Sequence, residues 1–321
     1  MLSELKTKLN KSIAGRILIK AYHYLIGIPR VKIRMVQYYL HNHDAYKQLH
    51  FYSDEEVFEM LASHGKSLAR FGDGEMAWIC GKARGYFGQE NSERLSNMLI
   101  DVLTSSEEKV LIGIPNYYGE DGNEPKFNKE YLEARAAHLA EYENKWAELT
   151  SPEKRYADAF ITRVYYGRPD RDAGWYFRKW KDVWNNRNVL IVEGAKTRFG
   201  VGNDLLDNAQ SVKRIVAPAE NAFSKYDEIV QSVKEHYEEG MLILTALGPT
   251  ATILAYELGI SSYQTIDIGH LDIEYEWYRS GAEKKTPVSG KYVNEAGGDS
   301  STEMAAAYLK QYQSQILTVI E

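Results

Sequence analysis

Cysteine is almost missing from this chain: Cys80 stands alone among 321 residues. One thiol excludes a disulfide framework and a cysteine-based zinc site, and it fits a reducing compartment. Proline is sparse, at eight residues, and no proline- or serine-rich linker follows residue 52. A membrane-spanning helix needs ~20 largely apolar residues. The most apolar run, Ile17–Ile28, contains Lys20 and His23 and stops at Pro29, with no small-residue cleavage site after it. It reads neither as a membrane span nor as a secretory signal. Positive charge is not in excess either. The 39 Lys and Arg face 45 Asp and Glu, which excludes a protein that wraps nucleic acid. No G-x-x-x-x-G-K-[ST] phosphate loop occurs.

What is present is globular: 44% apolar and 26% charged residues, enough for one large domain or two small ones. The 24 Tyr and 6 Trp suit carbohydrate contact and aromatic packing alike. Charge is uneven. Residues 1–50 hold nine Lys and Arg against Glu4 and Asp44. Leu2, Leu5, Leu9, Ile13 and Ile17 recur every three or four residues, which predicts a basic amphipathic helix. Such a helix either rests on an anionic membrane surface or packs on protein. Residues 1–50 are therefore read as an extension and 51–321 as the main domain.

From residue 54 the pattern alternates. Helices are expected after Ser53 (a cap), over Ser92–Leu103, Lys129–Leu149, Trp175–Trp184, from Gly200 to Gln210, and over Lys225–Tyr237 and Thr250–Leu258. Strands are expected at Ser67–Arg70, Lys109–Ile114, Ala157–Val164, Asn188–Val192, Val212–Ala217, Met241–Ala246 and Tyr263–Ile268. Lys284–Asp299 reads as a loop and 301–318 as a closing helix. This alternation predicts an α/β fold, a Rossmann-like, mostly parallel sheet with helices on both faces. Ligands of such sheets bind beyond the carboxyl ends of the strands.

Four loops fall there. In Arg70-Phe-Gly72-Asp-Gly-Glu75, Asp73 and Glu75 are hard carboxylates one residue apart, able to share Mg²⁺ or Mn²⁺ with water and phosphate oxygens. A solvated Asp-Gly turn is the plainer alternative. Glu193-Gly194-Ala-Lys-Thr-Arg198-Phe-Gly200-Val-Gly202-Asn203-Asp204 follows a strand and offers close backbone approach, two cations and a helix start, the parts of a diphosphate cradle. Its glycines are also a partial dinucleotide fingerprint, with Glu220 downstream as a ribose acid, which keeps a nicotinamide-dependent oxidoreductase open. Gly248-Pro249-Thr250 opens a helix beside two hydroxyls and suits a phosphate or ribose. In Asp267-Ile-Gly-His270-Leu-Asp272, His270 sits just after a buried strand as a metal ligand, phosphate donor or general base, with Asp272, Glu274 and Glu276 as further acid–base candidates. Asn221 and Arg163 are minor candidates. A metal with a diphosphate is what a nucleotide-sugar donor requires, since the cation neutralises the departing group.

With Asn221-Ala-Phe223, which lies between the second and third of them, these four loops make five motifs that, in their order along the chain, resemble the bacterial GT-D-type glycosyltransferases over residues 52 to 296. The resemblance implies a UDP-sugar donor, glucose being the first expectation, and Mn²⁺ or Mg²⁺ at a D-x-E motif, here Asp73 and Glu75. It implies a glycan or glycoprotein acceptor in bacterial surface glycan synthesis and a cytoplasmic site of action. Arg70, Gly72, Gly194, Arg198, Gly200, Gly202, Asn203, Asp204, Asn221, Gly248, Pro249 and Thr250 are expected to bind the nucleotide sugar, and His270 and Asp272 to serve the reacting centre. The basic residues 1–50 lie outside the resemblance and mark a membrane-proximal acceptor or a partner protein. A non-catalytic scaffold that binds nucleotide sugar is a third reading.

Overall fold

The computed structural model describes residues 28–40, 43–82, 88–119, 124–296, 298–299 and 305–321. The Leu2–Ile17 helical spacing lies outside them. Helices α1 (Ile28–Tyr39) and α2 (Asp44–Lys47) precede β1 (His50–Phe51), α3 (Asp54–Ala62), β2 (Ser67–Arg70), α4 (Asp73–Ile79), α5 (Glu93–Thr104) and β3 (Val110–Ile114). Next come α6 (Lys129–Leu149), β4 (Arg155–Asp158), α7 (Ala173–Trp184), β5 (Asn188–Gly194), β6 (Ser211–Ala217), α8 (Tyr226–His236) and β7 (Leu242–Ala246). The series continues with α9 (Pro249–Ile260), β8 (Thr265–Asp267), α10 (Leu271–Ser280), β9 (Tyr292–Val293), β10 (Gly298–Asp299), α11 (Ala306–Gln315) and β11 (Ile316–Val319).

Nine strands form one sheet in the order β1-β4-β3-β2-β8-β7-β5-β6-β11. Every pairing in it is parallel. Parallel strands need crossovers and bury both faces, so their side chains alternate between two apolar layers. Along β5, Val189 and Ile191 join one layer and Leu190 and Val192 the other. One layer packs Met76, Leu99, Leu139, Ile229 and Leu254 from α4, α5, α6, α8 and α9. The other packs Phe58, Trp180 and Leu271 from α3, α7 and α10. Tyr38, Tyr46, Leu49 and Phe51 sit in the first layer, so these residues pack with the main body.

Local chemistry sets the element ends. The Ser53 hydroxyl accepts from Glu56 N–H (3.2 Å) while Glu56 accepts from Ser53 N–H (2.7 Å), a reciprocal cap. Three expectations are corrected. The Ala157–Val164 strand is displaced to Arg155–Asp158, because the Asp158 carboxylate accepts Phe160 N–H (2.9 Å) and turns Ala159–Thr162 into a 3₁₀ helix. No helix forms over Gly200–Gln210. Arg198, Gly200 and Gly202 hold φ of +50°, +69° and +83°, and three left-handed residues so close leave only successive turns. The closing helix ends at Gln315, and Ile316–Val319 becomes an edge strand on β6, with a register break between Ile316 and Thr318.

Candidate active site

The carboxyl ends of β2, β3, β4, β5, β6, β7 and β8 share one edge, and Arg70 ties its centre together. Its Nε–H donates to Asp267 O (2.7 Å) and its Nη2 to Asp267 Oδ1 (2.7 Å). Its Nη1 donates to Thr162 Oγ1 (2.7 Å) and Ala159 O (3.2 Å). The guanidinium thus joins the ends of β2 and β8 to the turn after β4, with four of its N–H donors bonded within the fold.

The chain turns at Gly72 into α4. Asp73 is exposed at the first helical position. Glu75 bends back so that its carboxylate accepts Gly72 N–H (2.8 Å). Burial pushes the Glu75 carboxyl up to about 7, and the charges of Asp267 and Asp73 add to the rise. A half-buried acid crowded by two others gains from a nearby cation. The donor set is hard oxygen, which suits Mg²⁺ or Mn²⁺. Among the described residues no three His, Cys, Asp or Glu gather into a cation cage. Such an ion would draw its remaining oxygens from water and a substrate diphosphate, as these cations commonly do.

Helix α9 meets this turn directly. Pro249 occupies its first turn, where a missing N–H costs nothing. The Thr252 hydroxyl donates to Arg70 O (2.8 Å), so the first turn of α9 rests against the end of β2, two residues before Gly72. Thr250 is fully buried, and among the described residues its hydroxyl has no hydrogen-bond partner. Of the two helix starts expected to hold phosphate, only this one exists. It stands beside the D-x-E turn.

Across the edge, beyond β4 and β8, lies a charged cluster. Arg163 Nη2 donates to Glu295 Oε1 (2.8 Å) and lies 2.9 Å from His270 Nδ1. His270 Nε2 is 3.4 Å from Glu295 Oε2. Burial pushes the Glu295 carboxyl up, but His270 and Arg163 outweigh it and hold the group far below the usual carboxylate range. Beneath them the fully buried Glu274 accepts the N–H groups of Tyr165 and Tyr166, both at 2.9 Å. Burial pushes its carboxyl up, with Arg163 opposing.

The 194–204 loop is held from within. Arg198 Nη1 donates to Gly290 O (2.7 Å), and Tyr292 N–H donates to Lys196 O (3.0 Å). Asn203 Nδ2 donates to Asp272 Oδ1 and Glu276 Oε1, both at 2.7 Å. Lys291 Nζ lies 2.5 Å from Asp272 Oδ2, with both side chains buried. Lys181 holds the Asp204 carboxyl down at about 2, helped by the Tyr275 hydroxyl. Gly194 and Gly200 are packed inside the fold: a Cβ at Gly200 would meet Leu206 Cδ1 at 2.5 Å. Gly202 is half-buried, against Tyr308. Asn221 Oδ1 accepts from Gln89 Nε2 (2.8 Å) and Glu90 N–H (3.2 Å), tying the segment after α4 to the loop after β6. With no helix after Gly202, the partial dinucleotide fingerprint lacks the strand–turn–helix setting it requires.

The sequence matches the glycosyltransferase GT-D fold family over residues 68–296. The chain belongs to the GT-D family. It is 37% identical over 268 residues to the glycosyltransferase GlyD of Streptococcus pneumoniae serotype 4, and 38% identical over 274 residues to the probable glycosyl transferase Gly of Streptococcus gordonii. These alignments cover 83% and 84% of this chain but 32% and 39% of the relatives' lengths. Among solved structures, a new glycosyltransferase of domain of unknown function 1792 from Streptococcus sanguinis superposes with a TM-score of 0.77 at 34% identity, over 85% of this chain and 100% of that one. A second, described as the highly conserved domain of unknown function 1792 with a distinct glycosyltransferase fold, gives 0.77 at 32% identity, over 86% and 97%.

Within this GT-D chain, the structure brings Asp73, Glu75, Gly72, Gly248, Pro249 and Thr250 to one place, with His270 across Arg70 from them. It engages Arg198, Asn203, Asp204, Asn221 and Asp272 in internal bonds. Glu295 and Lys291 escaped the sequence reading, because Lys284–Asp299 has no periodicity and reads only as a loop.

Proposed function

We propose that this GT-D protein transfers a hexosyl group, glucose first, from a UDP-sugar to a glycan or glycoprotein acceptor. The observation that carries the reading is the Thr252–Arg70 bond, which sets the α9 N-terminus against the Asp73–Glu75 turn. The positive end of a helix dipole favours a phosphate, and the unpartnered Thr250 hydroxyl offers a donor there. Asp73, with Glu75 behind it, would hold Mn²⁺ or Mg²⁺, whose charge offsets that of a departing nucleoside diphosphate. His270 would serve the reacting centre, its ring held between Arg163 and the ionised Glu295. Asp272 acts by holding Lys291 and Asn203, which set the 194–204 loop against α10. We assign the reaction to the cytoplasm. Residues 1–50 would bring it to the inner membrane face or to a partner protein. Among the described residues no helix is long and apolar enough to cross a membrane.

Thermal shift with UDP, with and without Mn²⁺, tests the donor site. Ligand at about 100 times its Kd adds about 2.7 kcal/mol of stability. The expected result is a Mn²⁺-dependent shift in the wild type, absent in Asp73→Ala, whose own melting temperature matches the wild type because Asp73 is exposed. A shift with NAD⁺ and none with UDP would sink the reading.

A further inference from the structure

Helix α1 carries apolar side chains on the face it turns to solvent. Its inner face is anchored. Tyr38 is buried, its hydroxyl is 3.1 Å from that of Tyr118, and the guanidinium of Arg135 on α6 lies 5.7 Å from the Tyr38 ring. Arg135 Nη1 also donates to Tyr117 O (3.1 Å), just beyond β3, so the last turn of α1 stands at the sheet edge that carries the candidate site. His43 fixes this end: its Nε2 donates to Tyr38 O (2.7 Å), and its Nδ1 lies 2.6 Å from Glu143 Oε2. Outward, Ile33, Val36 and Leu40 recur at three and four residues, and Leu40 N–H still donates to Val36 O (3.1 Å), so they form one stripe. They are 58%, 59% and 77% exposed, and Tyr39 beside them is exposed too. A helix packed on a globular body ordinarily shows polar residues there. Of the nine large hydrophobic residues exposed among the described residues, four fall within 33–40.

Charge decides what covers this face. The sequence of α1 holds Arg30, Lys32 and Arg34 and no acid, and residues 1–27 add five cations against Glu4. The rest of the chain carries its whole excess of acid, so its field turns the α1 end toward a negative surface. We infer that the outer face of α1 docks on an anionic lipid surface, with Ile33, Val36 and Leu40 entering between the headgroups and Lys32 meeting lipid phosphates. A leaflet offers both halves of the match, acyl chains beneath a negatively charged layer. A second copy of the chain does not, because two-fold pairing would set each cationic face against itself. The inference deepens the transferase reading and rests on it in one respect: with α1 on the lipid, the site edge faces an acceptor borne on that same surface.

The test sediments the full chain with vesicles of phosphatidylcholine alone, or with about 30% phosphatidylglycerol to make the surface anionic. The chain should bind the anionic vesicles, less as salt is raised, and bind neutral ones weakly. The triple variant Ile33→Gln, Val36→Gln, Leu40→Gln should lose about tenfold or more in affinity, because the inserted apolar area is gone. Lys32→Gln should lose about fivefold, the contribution of one near-surface cation. Melting temperatures should match the wild type, since all four side chains are exposed. The UDP–Mn²⁺ thermal shift should be the same in all three proteins. Absence of binding to anionic vesicles overturns the inference, as does equal binding to neutral ones. Undiminished binding by the triple variant also overturns it and moves the contact to residues 1–27. A dimer in light scattering that the triple variant dissociates, with no vesicle binding, gives the face to a second copy instead. Vesicle binding without any UDP shift would remove the donor reading and leave the lipid face standing.

Discussion

A Cβ placed on Gly269 would lie 2.0 Å from Nη2 of Arg70. Gly269 also holds φ at +45°, where side chains are strained. The absence of a side chain here gives the guanidinium room to reach Asp267 and Thr162. Gly269→Ala should therefore displace Arg70 and cost about 1–3 kcal/mol in urea denaturation. In Arg70→Ala the clash is gone, so the double variant should lose clearly less than the two single losses together. Strict additivity would mean that the two residues are not coupled.

Thr250→Val keeps the shape of the buried side chain and deletes a hydroxyl without a partner. Its melting temperature should equal or exceed the wild-type value, since no internal bond is lost. Its affinity for UDP, read by calorimetry with Mn²⁺ present, should fall by about tenfold or more, the worth of one hydrogen bond to a charged group. Unchanged affinity would take the diphosphate away from α9.

Lys291 and Asp272 are 2% and 3% exposed, so each is the other's compensation. Lys291→Met strands a buried carboxylate and should cost about 3–5 kcal/mol. Adding Asp272→Leu should restore most of that loss, which a urea midpoint series will show. If Lys291→Met is nearly neutral, Asp272 is solvated in solution and regains its claim as a base at the reacting centre.

Glu295 governs a window in pH. His270 and Arg163 overcome the opposing effect of burial and depress its folded pKa below the unfolded value of about 4.3. The group therefore adds stability above that unfolded value, and this is lost as pH falls toward the folded pKa. Urea midpoints should drop more steeply from pH 6 to pH 3 in the wild type than in Glu295→Gln. Parallel curves would show that the carboxylate does not hold this cluster together.

Much of this was legible from residue order alone. Alternating apolar runs announced a parallel sheet, and Ser53 and Pro249 announced helix starts, because each of these signals is local, whereas Asp73-Gly-Glu75, read as a loop, is the opening of the unexpected helix α4. The Gly200–Gly202 segment misled for the same reason: a glycine pattern is shared by phosphate loops and by plain turns, and only φ separates them. The bonds that engage Arg70, Arg198 and Asp272 run to partners 197, 92 and 19 residues away. No spacing rule reaches so far. Glu295 was invisible because its meaning comes entirely from His270 and Arg163, two residues that the fold delivers.

The two borders of the large sheet bear on how the protein keeps to itself in crowded solution. A long flat border strand is a template for another chain's backbone. Here one border is β1, two residues long, and the other is β11, broken in register after Ile316. Neither offers a straight row of free amides and carbonyls. Leu317 and Val319 are 40% and 55% exposed on the second border. The register break there stands between an apolar edge and runaway strand addition, and a substitution that straightened it would be expected to trade solubility for fibre formation.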